Sequence, residues 1–297
     1  MASIFVNEQG AVRNGWRAVA FLLLSVIVVT VLIAASRELP EEVAFWLPEV
    51  YLSALAVLGV TWLFMRLEGR PIAAVGLELS QRALCQFGVG MAYGAGLVLA
   101  TALLVVALGG LHFEIAPQVS VIDIVKTGLF MAGAVMFEET LFRGYAFQAL
   151  VEAVGVWPTV LATSALFSLA HLGNPEIDAI GIANIFLAGV LLAFAYLRTR
   201  SLWFPTALHA GWNWTMASAL GFPVSGLVLM DTPLYDAVET GSDWWTGGSF
   251  GPEAGLAGTA VLLAGIAWLL RTRALSEPPE MRALRPLVDS RLREEGA

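Results

Sequence analysis

The sequence predicts an all-α polytopic membrane protein of about eight transmembrane helices, and three observations carry that reading. Of its 297 residues 58% are apolar and only 13% are charged, with a mean hydropathy of +0.76, outside the soluble globular range. Apolar runs long enough for a bilayer core recur along the chain, parted by short polar connections. Arginine gathers in alternate connections, which is a topology signal.

The first run, Ala18 to Ala35, follows Arg13 and Arg17 and is long enough to span. Small residues Ala34, Ala35 and Ser36 close it as a signal-peptide site would, but the leader is long for that role, so it reads as an uncleaved first span. The acidic connection Glu38 to Glu42 leads to a second span, Phe45 to Met65, closed by Arg66, Glu68 and Arg70, with Gly69-Arg70-Pro71 as a turn. A third span, Leu84 to Leu108, carries Gly90 and Gly94 in small-xxx-small spacing, which predicts a close helix crossing. Cys85 lies in it. As the single cysteine it excludes an intramolecular disulfide, and it reads as a small buried helix residue. His112 and Glu114 fall in the next loop, where a histidine is expected to be solvated.

The fourth span starts near Val121, carries Glu138-Glu139-Thr140-Leu141-Phe142-Arg143 and is expected to run past Gly144 and Tyr145 towards Glu152. The fifth begins at Trp157-Pro158 and ends at His171, before Gly173-Asn174-Pro175. A sixth, Ala179 to Leu197, stops at Arg198 and Arg200, and a seventh, Trp203 to Leu220, contains His209 and Asn213. The acidic loop from Asp231 to Glu253 carries Trp244 and Trp245, which read as a lipid-facing interfacial belt. The eighth span, about Ala254 to Leu270, completes a single membrane domain over residues 1–271, and residues 272–297 form an Arg-rich polar tail.

Counting Lys and Arg by connection places Arg13, Arg17, Arg66, Arg70, Arg82, Arg198, Arg200 and the tail on one side, with Arg37 and Lys126 opposite. An even number of spans then leaves both termini in the cytoplasm. The compact form without organellar signals points to a prokaryotic plasma membrane. No GxGxxG, Walker or HExxH stretch is present, so neither a nucleic-acid partner nor nucleotide chemistry is expected.

Charge at membrane depth costs roughly 2.5 to 3.5 kcal/mol per residue on insertion scales, so it persists where it is paired or used. Glu139 and Arg143 are four apart with the acid N-terminal, the favourable geometry for a pair on one helical face. Glu138 lies about 100° round the helix and is left free. The bland reading is that both acids glue helices together. Phe167 and His171 share one face, where the ring could wall off and orient the imidazole; His209 and Asn213 share another. A lone intramembrane histidine is usually an interhelical hydrogen-bonder, but two of them with Asn213 and Glu138 on neighbouring spans read as a built site.

Peptide hydrolysis inside a membrane needs an activated water and a place for the oxyanion. A desolvated carboxylate suits general-base work, which points to Glu138, with His171 holding the same water or taking its proton. His209 and Asn213 read as donors to the tetrahedral oxyanion.

Glu138-Glu139-x-x-x-Arg143, Phe167-x-x-x-His171 and His209-x-x-x-Asn213, in that order, resemble the signature of the CPBP family, also called the Abi or CAAX-protease family. It includes the intramembrane endopeptidases that trim prenylated CAAX proteins. The similarity runs from the fourth to the seventh span, and Arg143-Gly144-Tyr145 and the Thr199 to Trp203 stretch are also family-like. The resemblance implies an eight-helix fold with a cavity open to the cytosol, Glu138 and His171 activating water, His209 and Asn213 stabilising the oxyanion, and Glu139, Arg143 and Phe167 in support. Whether the reaction uses a metal stays open, because Glu138, His171 and His209 could complete a zinc site; the metal-free reading is preferred because Asn213 is a poor zinc ligand. The implied partners are the bilayer and a membrane-protein or peptide-precursor substrate.

Two other classes compete: a non-catalytic partner such as a bacteriocin-immunity factor, and a proton-coupled transporter, which the lack of detectable inverted repeats weakens. One mismatch also stands. His209 lies about 9 Å from the cytoplasmic end of its span while Glu138 and His171 lie nearer 20 Å from theirs at ~1.5 Å per residue, so a shared site needs projecting or tilted helices, or boundaries displaced by a turn.

Overall fold

The computed structural model describes residues 4–7, 10–40, 48–277 and 281. The helices are α1 Asn14–Arg37, α2 Glu49–Leu67, α3 Gln81–Ala107, α4 Val121–Arg143, α5 Tyr145–Val154, α6 Val156–Ala170, α7 Ala179–Thr199, α8 Trp203–Trp214 and α9 Leu256–Arg271. Side chains cap several of them. Ser80, Ser120 and Asp178 accept from backbone N–H groups in the first turns of α3, α4 and α7, which satisfies donors that the helix itself leaves without a partner.

Among the described residues four helices, α1, α2, α3 and α7, are long and apolar enough to cross a membrane, and α6 and α9 are apolar but shorter. The expected count of eight is therefore not reproduced by length and composition. The 23-residue α4 is set apart by Asp123, Lys126, Glu138, Glu139 and Arg143, and α8 has only 12 residues before a π-helical turn, Thr215–Ala219. The chain is mostly helical, as expected, with one short pair of strands beside the helices. Strands β1 Leu111–Ile115 and β2 Tyr235–Glu239 pair antiparallel, with Leu111 opposite Glu239 and Ile115 opposite Tyr235. His112 is thus in a strand, and it is exposed beside Glu114. Trp244 and Trp245 are exposed as expected of a belt. The start of the second span at Phe45 and most of the tail lie outside the described residues.

The fourth span does not continue to Glu152. Gly144 takes φ −77° and ψ −131°, and a Cβ there would lie 2.2 Å from Thr140 O, so the glycine permits a break that an L side chain would clash with. The chain restarts as α5, whose Tyr145 packs on Phe21 of α1 at 5.3 Å between ring centroids. Tyr145 also donates to Glu68, which accepts from Arg17 at 3.0 Å. These contacts put the starts of α1 and α5 and the end of α2 at one end of the bundle, while Arg37 and Glu49 pair at the other, 2.8 Å apart.

Helix α8 is the inner element, packed by α3, α4 and α7. Its contact with α3 is backbone to backbone: a Cβ on Gly94 would meet Leu208 O at 1.9 Å, and one on Gly211 would meet Met91 O at 2.3 Å. The small-xxx-small spacing does what the sequence suggests and lets two helices close to distances that side chains forbid. Cys85, by contrast, is exposed on α3 rather than buried. A lipid-facing surface is as apolar as a core, so composition could not tell the two faces of α3 apart.

Candidate active site

The break at Gly144 removes the depth mismatch for Glu138, while His171, at the C-terminal end of α6, still lies 15 residues, about 22 Å, from the start of that helix. Glu138 lies five residues, about 7.5 Å, from the end of α4, and His209 lies six residues, about 9 Å, from the start of α8. The two helices run past each other, and His209 Nε2 comes 3.9 Å from Glu138 Oε2.

Behind that contact lies a buried ion pair. Arg143 and Glu139 side chains are both 0% exposed and meet at 3.0 Å, as the i,i+4 spacing predicts. Arg143 Nη2 also donates to Gly189 O on α7 at 3.1 Å, and its guanidinium lies 4.6 Å from the Phe167 ring centroid. One arginine therefore binds α4, α6 and α7 together. Glu139 does more than the sequence assigns to it, because the Oε1 that accepts from Arg143 also takes His209 Nδ1 at 3.0 Å. A carboxylate paired with arginine only accepts, so His209 Nδ1 carries a proton and Nε2 is turned towards Glu138.

His171 caps the end of α6, and its Nδ1 lies 2.8 Å from Phe167 O. A carbonyl only accepts, so Nδ1 carries the proton and Nε2 is the nitrogen left to receive one. The Phe167 ring packs against His171 at 4.7 Å and against His209 at 6.0 Å. It walls both imidazoles rather than one.

His171, His209 and Asn213 line one cavity with Phe167, Asn184 and Trp212. About 40 Å³ of it is open to water centres, against roughly 10–15 Å³ needed for one water. Glu138 is not in the lining; it stands beside His209, one of its oxygens buried without a hydrogen-bond partner. Asn213 Oδ1 is likewise buried and unpartnered. Both are buried polar atoms with unused hydrogen-bonding capacity, which in a native fold calls for a water or a ligand. The alternative zinc set is not gathered: among the described residues no group of three or more His, Cys, Asp or Glu side chains is placed to hold a metal ion, and Glu138, His171 and His209 do not fit one.

Sequence reasoning missed Glu253, which also lines the cavity. Its Oε1 accepts from Trp212 Nε1 at 3.2 Å, and its Oε2 accepts from Ser225 N and Ser225 Oγ, each at 2.7 Å. Ser225 has φ +49°, and its carbonyl accepts from Asn174 Nδ2 at 3.1 Å. The loop after His171, the loop after α8 and the turn before α9 are thereby latched together over the site. A non-glycine residue in that backbone region is held there by its surroundings. Nothing in the loop's acidic composition distinguishes Glu253 from its solvated neighbours.

Residues 121–215 match a family model described as type II CAAX prenyl endopeptidase Rce1-like. This segment is Rce1-like. It spans α4 to the π-helical turn and contains all seven residues of the three sequence motifs, and it supports a CAAX-type intramembrane protease in a multi-pass membrane protein. Glu253 and the Ser225 latch lie beyond the Rce1-like segment. No curated protein and no solved structure matches the chain.

Proposed function

We propose that the chain is an intramembrane endopeptidase that hydrolyses a peptide bond of a lipidated or membrane-associated protein without a metal. The observation that carries the reading is the meeting of His171, His209 and Asn213 on one water-sized cavity, with Glu138 3.9 Å from His209. Glu138 is the general base for the attacking water, and His171, through its bare Nε2, holds that water or takes its proton. The water oxygen bonds to the scissile carbonyl carbon; the carbonyl oxygen becomes an oxyanion held by Asn213 Nδ2–H and His209 Nε2–H. Since His209 Nδ1 already donates to Glu139, the second donor requires imidazolium, and Glu138 and Glu139 flank it to balance that charge. The C–N bond then breaks and the proton taken from water passes to the leaving amine.

Glu139, Arg143 and Phe167 support the site by fixing His209 and His171. The eight-span count belongs to the same proposal, with α4 crossing on the strength of its internal ion pair and the shorter α6, α8 and α9 crossing by packing on their neighbours. So do a prokaryotic plasma-membrane location and cytoplasmic termini. The test is cleavage of a prenylated CAAX peptide by purified protein in lipid nanodiscs, read by mass spectrometry. Wild type is expected to release the C-terminal tripeptide and Glu138→Gln is not. Product that persists in Glu138→Gln overturns the role of Glu138, and activity lost to a chelator and restored by zinc overturns the metal-free reading.

A further inference from the structure

Arg200 is buried where a cation has no evident use. It ends α7 at φ +52°, donates its backbone N–H to Tyr196 O at 2.6 Å, and is 6% exposed. Its side-chain partners are the neutral Gln148 amide and the Tyr196 ring, and its Nε is buried without an acceptor. Among the described residues no carboxylate pairs with it, although buried charges in folded proteins are normally paired. A left-handed, non-glycine, buried arginine uncompensated by any described residue points to an anion that the described fold does not supply.

The surroundings say which kind. Arg200 lines a recess with Ser201, Ser80 and Arg82, at the positive end of the 27-residue α3. Glu78 shares the wall, so two guanidinium groups and a helix N-terminus outweigh one acid. Through Ser80 and Ala83 the recess adjoins a groove of about 550 Å³ lined by Leu79, Leu84, Phe87 and Trp203. Leu79 is 85% exposed and Leu84 74%, while Trp203 Nε1 is tied to Glu78 O at 2.8 Å. A basic recess opening onto an apolar groove, at the Arg-rich end of a helical bundle, has the two halves of a phospholipid site.

We propose that the recess and groove bind one anionic phospholipid, with its phosphate at Arg82 and the start of α3 above Arg200 and an acyl chain along Leu84, Phe87 and Trp203. The recess itself has about 10 Å³ open to water centres, so the phosphate seats at its mouth and is held by the charge beneath. Met281 lines the same recess and Arg82 Nη2 donates to Ser276 O at 3.0 Å, so Met281 and Ser276 border the headgroup position. The site is independent of the proposed hydrolysis.

The experiment is native mass spectrometry and thermal unfolding of the full chain in neutral detergent, titrated with phosphatidylglycerol, phosphatidylcholine or inorganic phosphate. Phosphatidylglycerol is expected to bind at least tenfold more tightly than phosphatidylcholine and to raise the Tm; Arg82→Gln and Arg200→Gln remove that preference, and Leu84→Asn weakens the lipid. Arg82 is exposed, so its substitution keeps the test valid if Arg200→Gln fails to fold. Equal affinity for the two lipids overturns the proposal. So does a rise in Tm with inorganic phosphate as large as with phosphatidylglycerol, which would make this a free-anion site.

Discussion

Replacing Glu139 with leucine removes one oxygen that serves two partners, and its consequence can be worked from the geometry. Arg143 keeps Gly189 O at 3.1 Å and the Phe167 and Phe142 faces at 4.6 and 5.8 Å, and its side chain has no access to water. Leaving a buried charge without its partner costs about 3–5 kcal/mol. His209 Nδ1 loses its acceptor as well, about 1–3 kcal/mol for a buried unsatisfied donor. Glu139→Leu is therefore expected to destabilise by about 4–8 kcal/mol. Arg143→Met leaves Glu139 with His209 as a partner, and the double variant Glu139→Leu/Arg143→Met removes both charges of the pair. It should be more stable than Glu139→Leu alone, with a coupling energy of about 3 kcal/mol. Equilibrium unfolding in mixed micelles measures all four corners of the cycle. Additive losses, or a Glu139→Leu cost below about 1 kcal/mol, would refute the account of a buried pair holding α4, α6 and α7.

Three other outcomes follow from particular contacts. Asn213→Ala removes a proposed oxyanion donor and should lower kcat roughly 100- to 1,000-fold with KM nearly unchanged, measured on the cleaved peptide; a pure KM effect would make Asn213 a substrate contact instead. Gly94→Ala drives a Cβ to 1.9 Å from Leu208 O and should cost about 1–3 kcal/mol or more, whereas Gly96→Ala, with nothing within 4 Å, should be neutral or slightly stabilising in the same unfolding assay. Glu253→Ala frees Trp212 and Ser225 and should raise amide exchange in residues 223–227 and around Asn174; unchanged protection there would show that the latch closes nothing.

The legible features are those set by local spacing. The Glu139–Arg143 pair follows from a four-residue interval, and the α3–α8 crossing follows from Gly90 and Gly94, because helix geometry fixes which side chains share a face. Of the motif residues, Phe167, His171, His209 and Asn213 line the cavity, while Glu138, Glu139 and Arg143 stand behind or beside it. What was not legible depends on partners distant in sequence. The second contact of Glu139, to His209, needs α4 and α8 docked; Glu253 becomes a site residue only when its loop folds back on Ser225; and β1 meets β2 with Leu111 opposite Glu239, far along the chain. Gly144 lay within an apolar run that composition reads as continuous helix, and its break is what brings Glu138 level with His209. Exposed Cys85 marks the remaining blind spot, since lipid and core select the same residues.

The central claim is that Glu138 drives peptide-bond hydrolysis, and the most direct measurement compares protein termini across the proteome of cells expressing wild type or Glu138→Gln at equal levels. The account predicts new termini that appear only with the wild type, which would also name the substrate. Identical termini, in cells where Glu138→Gln still rescues the deletion phenotype, would contradict it and leave a non-catalytic binding role in its place.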